Sequence, residues 1–97
     1  MAEFTEYTKY DALGLAQLIK DGEVSSLDLV EECINQIDRY DRHIHAVVHD
    51  MYRTAREEAK AFDEGGEKSA PFAGIPMLLK DLVAMVNGVP TTSSCRF

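Results

Sequence analysis

The chain has 97 residues, with ten Lys and Arg against seventeen Asp and Glu, for a net charge of −7. That sign argues against the basic stripe of a nucleic-acid binder and against a polybasic membrane-docking surface. Hydrophobic content of 45% with 28% charged residues is that of a folded globular chain; the length allows one small domain or one piece of a larger one.

The longest apolar stretches, such as Leu82-Val83-Ala84-Met85-Val86, fall far short of a bilayer. The acidic start, Met1-Ala2-Glu3-Phe4-Thr5-Glu6, has no apolar core of a secretory signal. Cys33 and Cys95 form neither a disulfide framework nor a zinc spacing, so a cytoplasmic protein with free thiols is expected. No internal repeat or low-complexity segment is present.

Ala12, Leu15, Ala16 and Ile19 recur at i, i+3, i+4 and i+7, which predicts a helix over about 11–21. Asp11 is placed to cap its start and Gly22 to end it. Ser25-Ser26-Leu27-Asp28 has the form of a capping box, and Val30, Cys33, Ile34 and Ile37 extend the apolar face, so a second helix is expected over about 26–40. Cys33 lies on that face and reads as a small hydrophobe rather than a reactive thiol. The β-branched run at 45–49 reads as a strand. Asp50 is a candidate cap for a third helix over about 51–64, with Met51, Ala55, Ala59 and Phe62 inward. Arg53 and Glu57 are paired at i, i+4, and the run of Arg53, Arg56, Glu57, Glu58 and Lys60 reads as a solvated face. Gly65-Gly66 stops that helix, and residues 67–71 read as a loop.

From Phe72 the pattern changes. Gly74-Ile75-Pro76-Met77-Leu78-Leu79-Lys80-Asp81 is an apolar run closed by two opposite charges. Proline is tolerated at a strand's start, and a run without alternation suggests a strand at 77–80 buried on both faces. Asn87-Gly88 is a turn dipeptide that strands at 83–86 and 89–92 would flank. Such strands need neighbours, because a lone hairpin is marginal in water. The expectation is therefore an α/β fold of N-terminal helices followed by the first strands of a sheet completed by further chain.

Lys80 would emerge at the carboxyl edge of that sheet, where ligands of open α/β folds bind. Low-dielectric surroundings disfavour the charged form of a lysine, which fits it to accept a proton. The alternative is a lysine that extends its head to water or pairs with a carboxylate. Asp81, next along a strand, points to the opposite face and need not pair with it.

Residues 71–81 together with Asn87-Gly88-Val89-Pro90-Thr91-Thr92-Ser93-Ser94 resemble the amidase signature family. Its members carry a G-[IV]-P-x-x-x-K-D strand followed by a G-x-x-T-T-x-S-like turn. Gly22-Glu23-Val24-Ser25-Ser26 is similar to that family's link between its first two helices, so the resemblance spans nearly the whole chain. It implies the N-terminal part of a single mixed-sheet domain, with Lys80 as the catalytic lysine of a Ser–cisSer–Lys triad. In such a triad the neutral lysine takes a proton from a bridging serine, which activates a nucleophilic serine; backbone N–H groups hold the tetrahedral state. Both serines belong to a Gly/Ser-rich stretch that these residues do not contain, so the chain alone is expected to be inactive and poorly stable. By the family's order Ser93 and Ser94 are not those serines. They, with Thr91 and Thr92, read as turn hydroxyls that satisfy backbone groups.

The resemblance implies no metal and no organic cofactor. Expected partners are a small-molecule amide and the remainder of the enzyme chain, with a homodimer left open; neither nucleic acid nor membrane is expected. Leu82 stands where the amidotransferase branch of the family, which acts on misacylated tRNA, carries asparagine. The wording of 72–82 is nearer to the branch of 6-aminohexanoate cyclic dimer hydrolase and related stand-alone amidases. The two alternatives are a protein of that amidotransferase branch and a non-catalytic helical interaction module. Among the histidines, His45 and His49 would share a strand face but lie about 13 Å apart at ~3.3 Å per residue. One ion cannot bridge that, so His43, His45 and His49 read as solvated.

Overall fold

The computed structural model describes residues 4–82 and 86–93. A single turn of 3-10 helix at Tyr7–Lys9 precedes three helices: α1 (Ala12–Lys20), α2 (Ser26–Ile44) and α3 (Tyr52–Gly65). Asp11 caps α1 by accepting the Gly14 N–H at 2.7 Å. Leu15, Ala16 and Ile19 are its buried stripe. At its end the N–H groups of Gly22 and Glu23 reach back to the carbonyls of Ile19 and Leu18 at 3.1 and 3.0 Å. That double bond requires a left-handed residue after the helix, and Gly22 supplies it at φ 77°.

The long helix α2 is the centre of the molecule. Its Leu29 is fully buried with Leu15 and Ile19 of α1, flanked by Phe4, Tyr7, Leu18, Val24, Phe62 and Ile75. One residue on, Val30 and Ile34 turn to the other side and meet Ala59 of α3, with Leu27, Tyr52 and Ala55 around them. Ala59 lets the two helices approach closely. Glu32 of α2 is buried, 4% exposed, and accepts from Gln36 Nε2 at 2.9 Å, which offsets the cost of burying its carboxylate.

The N-terminus of α2 has its free donors satisfied from two sources, its own capping box and α3. Ser25 Oγ accepts the Asp28 N–H at 3.0 Å while the Asp28 carboxylate accepts the Ser25 N–H at 3.1 Å, closing the capping box. The remaining first-turn donors, Ser26 N and Leu27 N, go to the Asp63 carboxylate of α3 at 2.8 and 3.0 Å. A second tie between these helices joins Arg56 to Glu31. Arg56 thus departs from the purely solvated face expected of 53–60, whereas Arg53 and Glu57 form a 4.0 Å pair in open solvent. The N-cap of α3 is Met51, with no side-chain cap; Asp50 lies one position too early to reach the first-turn amides.

Three of the four expected strands are absent among the described residues. Helix α2 continues to Ile44, past residue 40, and His45 ends it in the left-handed region at φ 50°. The Asp41 carboxylate then takes the amides of Ala46 and Val47 at 2.6 and 3.1 Å, donors that a strand at 45–49 would need for its ladder. Residues 77–80 and 89–92 run without strand pairing. In the turn between Val86 and Val89 only Gly88 of the central pair has positive φ, 81°. The tight hairpin turns that match strand twist need positive φ at the first of the pair, Asn87. Residues 83–85 of the fourth expected strand lie outside the described residues. Among the described residues the chain is therefore helical, with no strand.

Its surface is large for its mass. The accessible area is 7275 Å², about 1,700 Å² above the ~5,500 Å² of a compact monomer of this size. Much of the exposed apolar area lies after Phe72. No helix among the described residues is long and apolar enough to cross a membrane.

Candidate functional site

The segment that carries Lys80 is anchored at its start by the helix pair. Turns at Ala70–Ala73 and Phe72–Ile75 (N···O 3.2 Å each) bring Gly74 back over α1 and α3. A Cβ on Gly74 would lie 2.7 Å from Phe62 Cε1 and 3.1 Å from Ile19 Cδ1, and its φ is +81°. Both the close approach and the left-handed backbone demand glycine. The hydroxyl of Ser26, in the first turn of α2, donates to the Gly74 carbonyl at 2.6 Å, and Ile75 packs onto the Leu15–Ile19–Leu29 cluster.

Beyond Pro76 the chain leaves that core. Met77, Leu78, Leu79 and Leu82 are 76, 65, 50 and 49% exposed, and Lys80 is exposed with them. These side chains are uncovered because the described residues supply no second layer for them, as expected of a strand whose neighbours come from further chain. Lys80 accordingly faces solvent, at the end of an apolar stretch whose direction is set at Gly74.

The next residue is held. A three-residue turn closes from the Leu82 N–H to the Lys80 carbonyl at 2.9 Å, with Asp81 at its apex. The Asp81 carboxylate accepts the Thr92 N–H at 2.8 Å, the Thr92 hydroxyl and a backbone bond from Ser93. These bonds, led by that from the hydroxyl, hold its carboxyl below the ordinary aspartate value. Thr91, Thr92 and Ser93 are exposed, and Ser93 has φ 52°. Thr92 thus does satisfy a partner, but the partner is a side chain eleven residues away. Ser94 and Cys95 lie outside the described residues.

Other candidates are set apart from this segment. His43, His45 and His49 are all exposed, and among the described residues no three His, Cys, Asp or Glu are grouped to hold a metal. Cys33 is half-buried and hydrogen-bonded to Tyr7; burial pushes its thiol up, away from reactivity. Tyr7 is itself pushed up to about 12, first by burial and then by Cys33 and Glu32. Sequence reasoning missed the roles of Ser26, Asp63 and Asp81. The first two act across 48 and 37 residues and leave no local signal; the T-T pair after K-D was the one available hint of the third.

Comparison with known proteins adds the family context. Residues 28–97 match the family model described as Amidase. The 6-aminohexanoate-cyclic-dimer hydrolase of Pseudomonas sp. (strain NK87) is 36% identical over 86 residues, covering 89% of this chain and 16% of that protein. A Glutamyl-tRNA(Gln) amidotransferase subunit of Prochlorococcus marinus is 36% identical over 83 residues, covering 82% of this chain and 17% of that protein. The same subunit of Streptomyces coelicolor is 34% identical over 91 residues, with coverage of 91% and 18%. The chain thus spans less than a fifth of the length of these relatives. No solved structure gave a significant match.

Proposed function

The chain belongs to the Amidase family, and from that membership we propose that it is the lysine-bearing N-terminal segment of an amidase that hydrolyses carboxamide bonds. One observation carries the reading: the family match at 28–97 contains the whole of Gly74-Ile75-Pro76-Met77-Leu78-Leu79-Lys80-Asp81. Lys80 is the proton acceptor. Its neutral amine takes a proton from a bridging serine, which takes one from the nucleophilic serine; that oxygen bonds the amide carbon. The C–N bond then breaks, the leaving nitrogen departs as amine or ammonia with the returned proton, and water releases the acid.

Both serines belong to chain outside these residues, so the 97 residues alone have no turnover. The same further chain supplies strands on either side of 77–80 and covers Met77, Leu78, Leu79 and Leu82. The exposed side chains of Met77, Leu78, Leu79 and Leu82 support this, since contiguous exposed apolar surface marks a contact site. Once covered, Lys80 leaves bulk water and its neutral form is favoured.

A second reading, part of an amidotransferase, is supported by the relatives that carry that name at comparable identity. The two separate experimentally. The complete protein that carries this segment is given linear carboxamides and the cyclic dimer of 6-aminohexanoate, then glutamine with a misacylated tRNA. Release of amine or ammonia from the amides by the protein alone supports the stand-alone amidase. Turnover only with a tRNA-binding partner supports the amidotransferase, and activity with neither refutes both.

A further inference from the structure

The lysine segment is pinned at two points. Upstream, Ser26 Oγ holds the Gly74 carbonyl at 2.6 Å. Downstream, the Asp81 carboxylate holds Thr92 by its backbone N–H at 2.8 Å and by its hydroxyl. Between these pins Ile75 packs on the helical core, but Met77, Leu78 and Leu79 are exposed and among the described residues nothing packs on them to fix the backbone. Lys80 is the residue next to the downstream pin, and the turn from Leu82 N to Lys80 O at 2.9 Å joins the two directly. Among the described residues no ion pair joins Lys80 to a carboxylate. Asp81 directs its oxygens to the 92–93 loop.

We infer that Asp81 is a positioning residue: its carboxylate staples residues 92–93 to the end of the lysine segment and so fixes the direction in which Lys80 leaves the backbone. This rests on Lys80 being the proton acceptor of the proposed amidase. A carboxylate suits the task because one planar group accepts from a backbone N–H and a hydroxyl at once, and charged acceptors make the stronger bonds. Thr92 suits it because it presents two donors from one residue.

The test uses the complete amidase that carries this segment, with a carboxamide substrate. Asp81→Ala is expected to lower kcat by about 10- to 100-fold, the loss that a misplacement near 1 Å produces, with KM within about twofold. Asp81→Asn, which keeps one acceptor oxygen, falls between this variant and wild type. Thr92→Ser keeps both donors and retains activity, whereas Thr92→Val loses several-fold. The double variant Asp81→Ala/Thr92→Val is no slower than Asp81→Ala, because the two residues act through one contact. Equal helicity and melting temperature across the set separate positioning from unfolding. A normal kcat for Asp81→Ala beside an inactive Lys80→Ala overturns the positioning role alone, as do a rise in KM at unchanged kcat and fully additive losses in the double variant. Persistent activity of Lys80→Ala instead overturns the amidase reading on which the inference stands.

Discussion

Replacing Asp63 by alanine probes the joint that sets the whole arrangement. The carboxylate of α3 accepts the Ser26 and Leu27 amides of α2 at 2.8 and 3.0 Å, although 36 or 37 residues separate them. Loss of a capping acceptor costs about 0.5–2 kcal/mol, and loss of a negative charge at a helix N-terminus about 0.3–1 kcal/mol. Asp63 is exposed, which weakens both effects, so we expect a destabilisation of about 1.5 kcal/mol, toward the middle of the capping range. For a domain of this size that lowers the melting temperature by roughly 6–12 °C. Asp63→Asn keeps one neutral acceptor and should lose about half as much. Urea unfolding followed by far-ultraviolet circular dichroism gives the free energies, and amide hydrogen exchange at Ser26 and Leu27 reports the bonds themselves. A variant within ~0.3 kcal/mol of wild type, inside the usual scatter of neutral surface changes, would refute the idea that Asp63 caps α2.

Other substitutions read different parts of the structure. Gly74→Ala should destabilise by about 1–3 kcal/mol, since a non-glycine residue is strained at positive φ and the new methyl would meet Phe62 and Ile19; denaturant unfolding measures it. Tyr7 is pushed up to about 12 from 10.0, so the folded state keeps a proton that the unfolded state loses. Its contribution to stability is complete below pH 10 and is lost as pH rises toward 12. Tyr52 is raised as well, by burial and then by Asp38, so phenolate absorbance should show two late-titrating tyrosines, one of which Tyr7→Phe removes. Met77→Ser and Leu79→Ser should change the stability of the 97-residue chain by no more than about 0.5 kcal/mol, as for other exposed sites, yet impair folding of the complete enzyme. Comparative unfolding of the two contexts checks this, and a large loss in the short chain would contradict the placement of those side chains.

Local signals were legible in the sequence. Asp11 and the Ser25/Asp28 box act as caps because capping is decided within four residues. Leu15, Ala16 and Ile19 are buried where helical spacing places them. The strands were not legible in the same way, because a ladder depends on a partner. Apolar 77–80 reads as a buried strand in any context, and only a neighbouring strand makes it one. At 45–49 the failure has another cause: the Asp41 carboxylate, on the preceding helix, captures the amides first. Of the site, the lysine and its flanking glycine could be read from G-I-P-x-x-x-K-D, whereas the grip of Asp81 on Thr92 needed the loop to fold back.

The central claim is that Lys80 moves a proton in amide hydrolysis, and the most direct measurement is kcat for Lys80→Ala in the complete protein on its best carboxamide. Removal of a general base lowers turnover by about 10²–10⁴-fold. We expect a loss in that range, with helicity and KM little changed and with Lys80→Arg, charged at every accessible pH, no better than alanine. An alanine variant that turns over within a few-fold of wild type would contradict the account.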